Sequence, residues 1–167
     1  MAETLLDVRG MEKRAAYAAL KTQLDAILEG VSEPISGMAT MACILYHGFG
    51  HLWAGFYRLV TPTRLMVGPY QGTLGCLEIE VGRGVCGTAA LRRQTVIVPD
   101  VHAFAGHIAC DARSRSEIVV PVLDDKGALQ AVLDIDSTEL AAFDQEDQHQ
   151  LESWMTWFAR PSGESKG

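Results

Sequence analysis

Apolar residues recur at helical spacing over residues 11–30, where Tyr17, Leu20, Leu24, Ile27 and Leu28 share one face and Gly30 supplies a stop. A second helix is predicted from Ser32, a good N-cap residue, with Pro34 in its first turn. It should point Met38, Ala42 and Leu45 inward and end near Gly48. Over about 51–59 the period drops to two, with Trp53, Gly55, Tyr57 and Leu59 on one side and Ala54, Phe56 and Arg58 on the other. A turn at 61–63 leads to a second strand at 65–67, which the glycines and proline of 68–72 are expected to break. Residues 73–83 read as irregular apart from a short strand near 77–81. A short helix over about 85–92 and a brief strand at 95–98 follow. Residues 99–115 lack periodicity and form a loop whose length suits a functional role. A hairpin joins 117–123 to 128–135 through a turn at 124–127. Asp144 caps a final helix through Leu151, Trp154, Met155 and Phe158, and the tail 161–167 is expected to fray and be flexible.

That order of elements specifies an α+β fold, a central antiparallel sheet flanked by helices. The 167 residues fit one domain over 1–167 with its core at about 10–158, and a hydrophobic share of 48% can fill that core. A net charge of −7 argues against a nucleic-acid partner, which would need basic patches. The N-terminus has no basic stretch followed by an apolar core, and no apolar run reaches the roughly 18 residues of a membrane helix. A soluble, cytoplasmic protein without a membrane partner is expected. In that reducing setting four cysteines point to thiol chemistry or metal binding rather than structural disulfides.

Cys110 is the candidate reactive thiol. It lies on a loop rich in Gly and His, three residues after His107 and eight after His102, and such neighbours favour thiolate. The bland reading is a small buried residue, as befits Cys43 among the apolar residues of its helix. Cys86 sits in a Gly-rich run at 82–88 that opens a helix. That run serves either anion binding at a helix N-terminus or close packing, and it lacks the Lys of a phosphate-cradling loop. Cys76 falls in a loop where a resolving thiol could move. Strand alternation puts Asp134 and Asp136 on one face, Leu133 and Ile135 on the other, and Glu117 begins the partner strand. Three carboxylates at one sheet end repel unless a cation, protons or hydrogen bonds compensate. They form either a solvent-facing strand end or a pocket for an ammonium group, with one carboxyl kept protonated as a donor. His102, His107 and Cys110, completed by Cys76 or Cys86, could ligate a metal, but the spacing matches no strong zinc pattern and no metal is expected.

Six segments together resemble the free methionine-(R)-sulfoxide reductases, a single-domain branch of the GAF fold. They are Trp-Ala-Gly-Phe-Tyr at 53–57, Gly-Pro-Tyr-Gln-Gly at 68–72, Gly-Arg-Gly-Val-Cys-Gly-Thr at 82–88, Val-His-Ala-Phe-Ala-Gly-His-Ile-Ala-Cys-Asp at 101–111, Ser-Glu-Ile-Val-Val-Pro at 116–121 and Val-Leu-Asp-Ile-Asp-Ser at 132–137. The resemblance covers roughly 10–158, and the segments holding Cys86 and Cys110 are the most specific. It implies Cys110 as nucleophile on the sulfoxide sulfur, Cys76 as the thiol resolving its sulfenic acid, and Cys86 as an auxiliary cysteine. It implies Glu117 and Asp136 around the substrate ammonium, Asp134 polarising the sulfoxide oxygen, Trp53 and Tyr57 around the methylthio end, and backbone N–H groups before Cys110 for the carboxylate. It further implies thioredoxin as electron donor, no other cofactor, a role in oxidative stress and a homodimer. Ala105, where proline is common, and Leu52, where a polar residue is common, depart from the pattern without removing a reactive group.

A thiol reducing a sulfoxide needs a thiolate and protonation of the departing oxygen, and the chain supplies candidates for both. A disulfide made and broken in each turnover also accounts for several cysteines in a cytosolic protein. The rivals are a GAF-type ligand sensor, which would be expected beside an output module, and a redox or metal sensor acting through a partner. Both predict no turnover.

Overall fold

The computed structural model describes residues 4–108 and 110–160. Among them the chain forms α1 (Lys13–Ile27), α2 (Pro34–Phe49), β1 (Trp53–Thr61), β2 (Arg64–Gly72), β3 (Glu78–Glu80), α3 (Gly84–Arg92), β4 (Val96–Val98), β5 (Ser116–Leu123), β6 (Leu129–Ser137) and α4 (Gln145–Met155). Short 3-10 turns occupy Val101–Ala103 and Thr156–Ala159. The strands form one sheet in the order β3-β2-β1-β6-β5-β4, antiparallel at every pairing, as the α+β reading requires. The expected frayed tail at 161–167 lies outside the described residues.

Several predicted details change: the final helix stops at Met155 and gives way to the 3-10 turn Thr156–Ala159, Cys43 is half-buried rather than buried, and the start of α2 and the course of β2 differ as follows. Glu33, not Ser32, caps α2, and its carboxylate accepts from the Ser36 N–H. Pro34 is the first helical residue and holds its predecessor in extended backbone (φ −80°, ψ 118°), so Glu33 takes the capping position. The second strand does not break at Gly68. Gly55 pairs with Tyr70 and Tyr57 with Val67, so Gly68 and Pro69 together face Phe56 as a β-bulge. β3 pairs only with the Arg64 to Met66 stretch, so Pro69 has no second ladder to break.

The sheet has two unlike faces. Ala54 and Phe56 of β1, Ile118, Val120 and Val122 of β5, and Ala131, Leu133 and Ile135 of β6 are all fully buried in one cluster with the inward residues of α1, α2 and α4. Removing that much apolar surface from water is the main favourable contribution to folding, at about 25 cal/mol per Å². A polar clasp closes the helical layer. Asp144 and Asp147 form a capping box at the start of α4, Lys13 reaches both carboxylates, and the Tyr17 hydroxyl donates to Asp147 at 2.8 Å. The other face carries α3 and the loops at 73–77 and 99–115 over a smaller cluster that includes Trp53, Tyr57, Val85, Cys86 and Val119.

Candidate active site

β1, β6 and β5 lie side by side, so pairing alone assembles the acidic row. Trp53 faces Asp136, and Asp136 faces Glu117; one step along, Gly55 faces Asp134. The predicted alternation of β6 holds, with Asp134 and Asp136 turned away from the helical core that takes Leu133 and Ile135. Trp53 lies flat against Tyr57 (centroids 5.7 Å, planes 22° apart) and Tyr70 (5.2 Å, 18°). This stack needs glycine at position 55, because a Cβ there would stand 2.2 Å from the Tyr70 Cβ and 2.6 Å from the Trp53 ring. Above it, the Trp53 indole N–H donates to the Thr73 carbonyl at 3.1 Å, tying β1 to the loop that carries Cys76.

Cys76 and Cys110 are joined in a disulfide, with Cα atoms 5.4 Å apart. Beside it the Thr73 hydroxyl donates to Asp111 at 2.7 Å, and Arg113 donates to the same carboxylate. Those hydrogen bonds, the ones from Arg113 foremost, hold the Asp111 carboxyl far below its ordinary value. The two loops are thus joined covalently and by a charge-assisted hydrogen bond over a cavity of about 40 Å³. Seven of the eight sequence-predicted residues line that cavity: Trp53, Tyr57, Cys86, Cys110, Glu117, Asp134 and Asp136. The eighth, Cys76, is held there by its bond to Cys110. His107 also lines it, whereas His102 is exposed and outside. Ala109, in the segment assigned to the substrate carboxylate, lies outside the described residues.

The glycines around Cys86 serve packing. A Cβ at Gly87 would meet the Glu80 carbonyl at 2.3 Å, and one at Gly84 would press Ile108 at 3.1 Å. The start of α3 nonetheless lines the cavity at Gly84 and Val85, and no side chain caps its first turn. Neither function of the run excludes the other.

Electrostatics at the cavity floor are dominated by burial. Glu117 and Asp134 are each 6% exposed, and burial, reinforced by neighbouring carboxylates, pushes both well above their ordinary values. Burial also lifts Asp136, to about 6, although the Ser114 hydroxyl donates to it at 2.5 Å. The Cys86 thiol, 4.0 Å from Glu117, is raised by burial and then by Asp134 and Glu117. His107 Nε2 stands 3.7 Å from Glu117, too far for a hydrogen bond. Burial and the nearby His102 lower its value, so this contact is not an ion pair at neutral pH. Asp134 Oδ1 is buried with no hydrogen-bond partner among the described residues. Three crowded carboxyls and an unpartnered oxygen in one buried pocket favour protons or a cation between them.

Family comparisons fit this arrangement. The GAF domain model matches residues 18–158. The free methionine-R-sulfoxide reductase of Escherichia coli is 45% identical over 142 residues, 84% of this chain and 85% of that protein. The chain belongs to the GAF-domain family of free methionine-R-sulfoxide reductases. The crystal structure of the reductase from Neisseria meningitidis in complex with its substrate superimposes with a TM-score of 0.88 at 38% identity, covering 95% of this chain and 94% of that one. GAF domain-containing protein A of Dictyostelium discoideum is 42% identical over 151 residues, 90% of this chain and 94% of that protein. Within this family frame, sequence reasoning missed Tyr70, Thr73 and Ser114. Tyr70 was hidden by the Gly and Pro around it. Its position on the Trp53 face follows only once the bulge is known. Ser114 and Thr73 act through contacts between residues 22 and 38 positions apart, which no local pattern reports.

Proposed function

We propose that this protein reduces free methionine-(R)-sulfoxide to methionine with Cys110 as nucleophile. The observation that carries the reading is one cavity joining a Cys76–Cys110 disulfide to three clustered carboxyls and an aromatic wall. In the reduced enzyme the Cys110 thiolate attacks the sulfoxide sulfur. Oxygen passes to the cysteine with uptake of a proton, methionine leaves, and Cys110 becomes a sulfenic acid. Protonated Asp134 donates to the sulfoxide oxygen, a role its raised value suits. The Cys76 thiol then displaces water from the sulfenic acid to form the disulfide. A dithiol donor of the thioredoxin class takes the disulfide bond over and restores both thiols.

Glu117 and Asp136 receive the substrate ammonium. An incoming cation favours the ionised form of a carboxyl, so binding substitutes an ammonium for protons and relieves the repulsion of the empty site. The first turn of α3 and the backbone ahead of Cys110 offer N–H groups for the carboxylate. Trp53 and Tyr57 pack against the methylthio end. A site that takes both charged ends of an amino acid excludes a residue inside a peptide, where neither charge exists. Cys86 takes an auxiliary role.

The test is NADPH consumption with thioredoxin and its reductase, offering the free R sulfoxide, the free S sulfoxide and a terminally blocked sulfoxide in turn. Turnover of the free R form alone is expected. Absence of turnover with all three, with the thiols verified as reduced, would refute the reading.

A further inference from the structure

Cys86 Sγ, a Glu117 carboxyl oxygen and an Asp134 carboxyl oxygen lie within 4.8 Å of one another at the cavity floor. His107 Nε2 stands 3.7 Å from Glu117 but falls outside this group, so it borders the site rather than joining its donors. The three donors come from α3, β5 and β6, so packed elements rather than one loop fix their positions. Cys86 is 3% exposed and both carboxyls 6%. Asp134 Oδ1 is buried beside this group with no hydrogen-bond partner among the described residues, so one of its acceptor positions is open to a ligand. Bonds of about 2.0–2.3 Å to zinc imply ligand atoms roughly 3.3–3.8 Å apart in a tetrahedron. Spacings within 4.8 Å need to contract by up to about 1.5 Å to meet that geometry. A thiolate among the donors selects zinc-class cations over magnesium or calcium, which prefer all-oxygen cages.

We propose that the cavity floor binds a zinc-class divalent cation through Cys86, Glu117 and Asp134, with solvent completing the coordination, and that the bound cation excludes the free amino acid. The exclusion rests on the functional reading above, because the cation takes the Glu117 carboxylate assigned there to the substrate ammonium. Binding involves no redox change. The Cys86 proton, and any proton held by the two carboxyls, passes to solvent as the bonds to the cation form. The donor set differs from the one that the sequence suggested. His102 is exposed and Cys76 and Cys110 are consumed in the disulfide, while Glu117 and Asp134 enter.

The disulfide-bonded protein carrying Cys43→Ser has Cys86 as its one thiol. Titration with cobalt chloride should raise a thiolate-to-cobalt charge-transfer band at one ion per chain, and zinc chloride should abolish it. Cys86→Ser should remove the band. Asp134→Asn, nearly the same shape, should weaken zinc binding by at least about tenfold in calorimetry. Excess free methionine should displace the cobalt. A folded parent with no thiolate band, or zinc affinity unchanged in Asp134→Asn, would overturn the site. A band that survives saturating methionine would overturn the exclusion. A protein that gives the band yet reduces no sulfoxide would lose the assigned activity and keep the metal site, so the two failures are distinguishable.

Discussion

The two faces of β6 differ by one residue step and by almost everything else. Leu133 and Ile135 sink into the helical core, while Asp134 and Asp136 line the cavity on the opposite side. The first face holds the fold together. The second works against it, because carboxyls placed side by side and out of water cost stability at neutral pH. The sheet is stable enough to carry that cost because the same strands contribute Ile118, Val120, Leu133 and Ile135 to the other side. The proposed site therefore lies on the face that contributes least to stability.

The sharpest break between the faces is at the disulfide. Cys110→Ser should lower reductase activity by at least about 10³-fold and leave the melting transition of the reduced protein nearly unchanged, since Cys110 is exposed. Cys76→Ser should retain one stoichiometric turnover and lose recycling. Full multiple turnover with thioredoxin in Cys110→Ser would remove the proposed mechanism. The mirror-image experiment is Leu133→Ala, fully buried on the helical face. It should cost about 2–5 kcal/mol in urea unfolding while activity per folded molecule persists. Loss of activity without loss of stability would contradict the division of labour.

Asp136 sharpens the comparison through pH. Its folded value rises from 3.8 to about 6, so the native state holds this proton more tightly than the unfolded chain. The stabilisation is complete below about pH 4 and is lost as pH rises through about 6, by up to roughly 3 kcal/mol. Asp136→Asn keeps an acceptor for Ser114 and removes that loss. It should exceed the parent in stability at pH 7.5 and converge with it at pH 4, as read from unfolding midpoints. The same substitution should raise the KM for the sulfoxide, and in the parent substrate binding should tighten as pH rises through about 6. The smallest effect is expected at the latch between the loops. Thr73→Val should slow disulfide closure about three- to tenfold, read by trapping the sulfenic acid, with the first turnover unaffected and Thr73→Ser restoring the rate. Equal closure rates would show that the disulfide partners need no such latch.

Much of this was visible in the sequence for a simple reason. A period of two on β1 and β6 assigns each residue to a face without reference to any other part of the chain, so the pairs Trp53/Tyr57 and Asp134/Asp136 were legible. The capped start of α4 at Asp144 was equally local. The errors arose where a distant strand or a neighbouring residue overrode the first local signal. Gly68 and Pro69 read as a break, yet pairing with β1 absorbs them as a bulge and carries Tyr70 onto the Trp53 ring. Ser32 read as a cap until the steric demand of Pro34 on Glu33 is taken into account.

The sequence by itself thus determined the α+β order, the acids that share a face and the cysteines available for redox chemistry, because those follow from backbone periodicity and residue type. Tertiary structure decided which acids meet Cys86, how Thr73 and Ser114 reach across to Asp111 and Asp136, and how far burial shifts each carboxyl. Those properties depend on distance and solvent exclusion between residues far apart in the chain. They exist only once the strands have paired and the loops have closed over them.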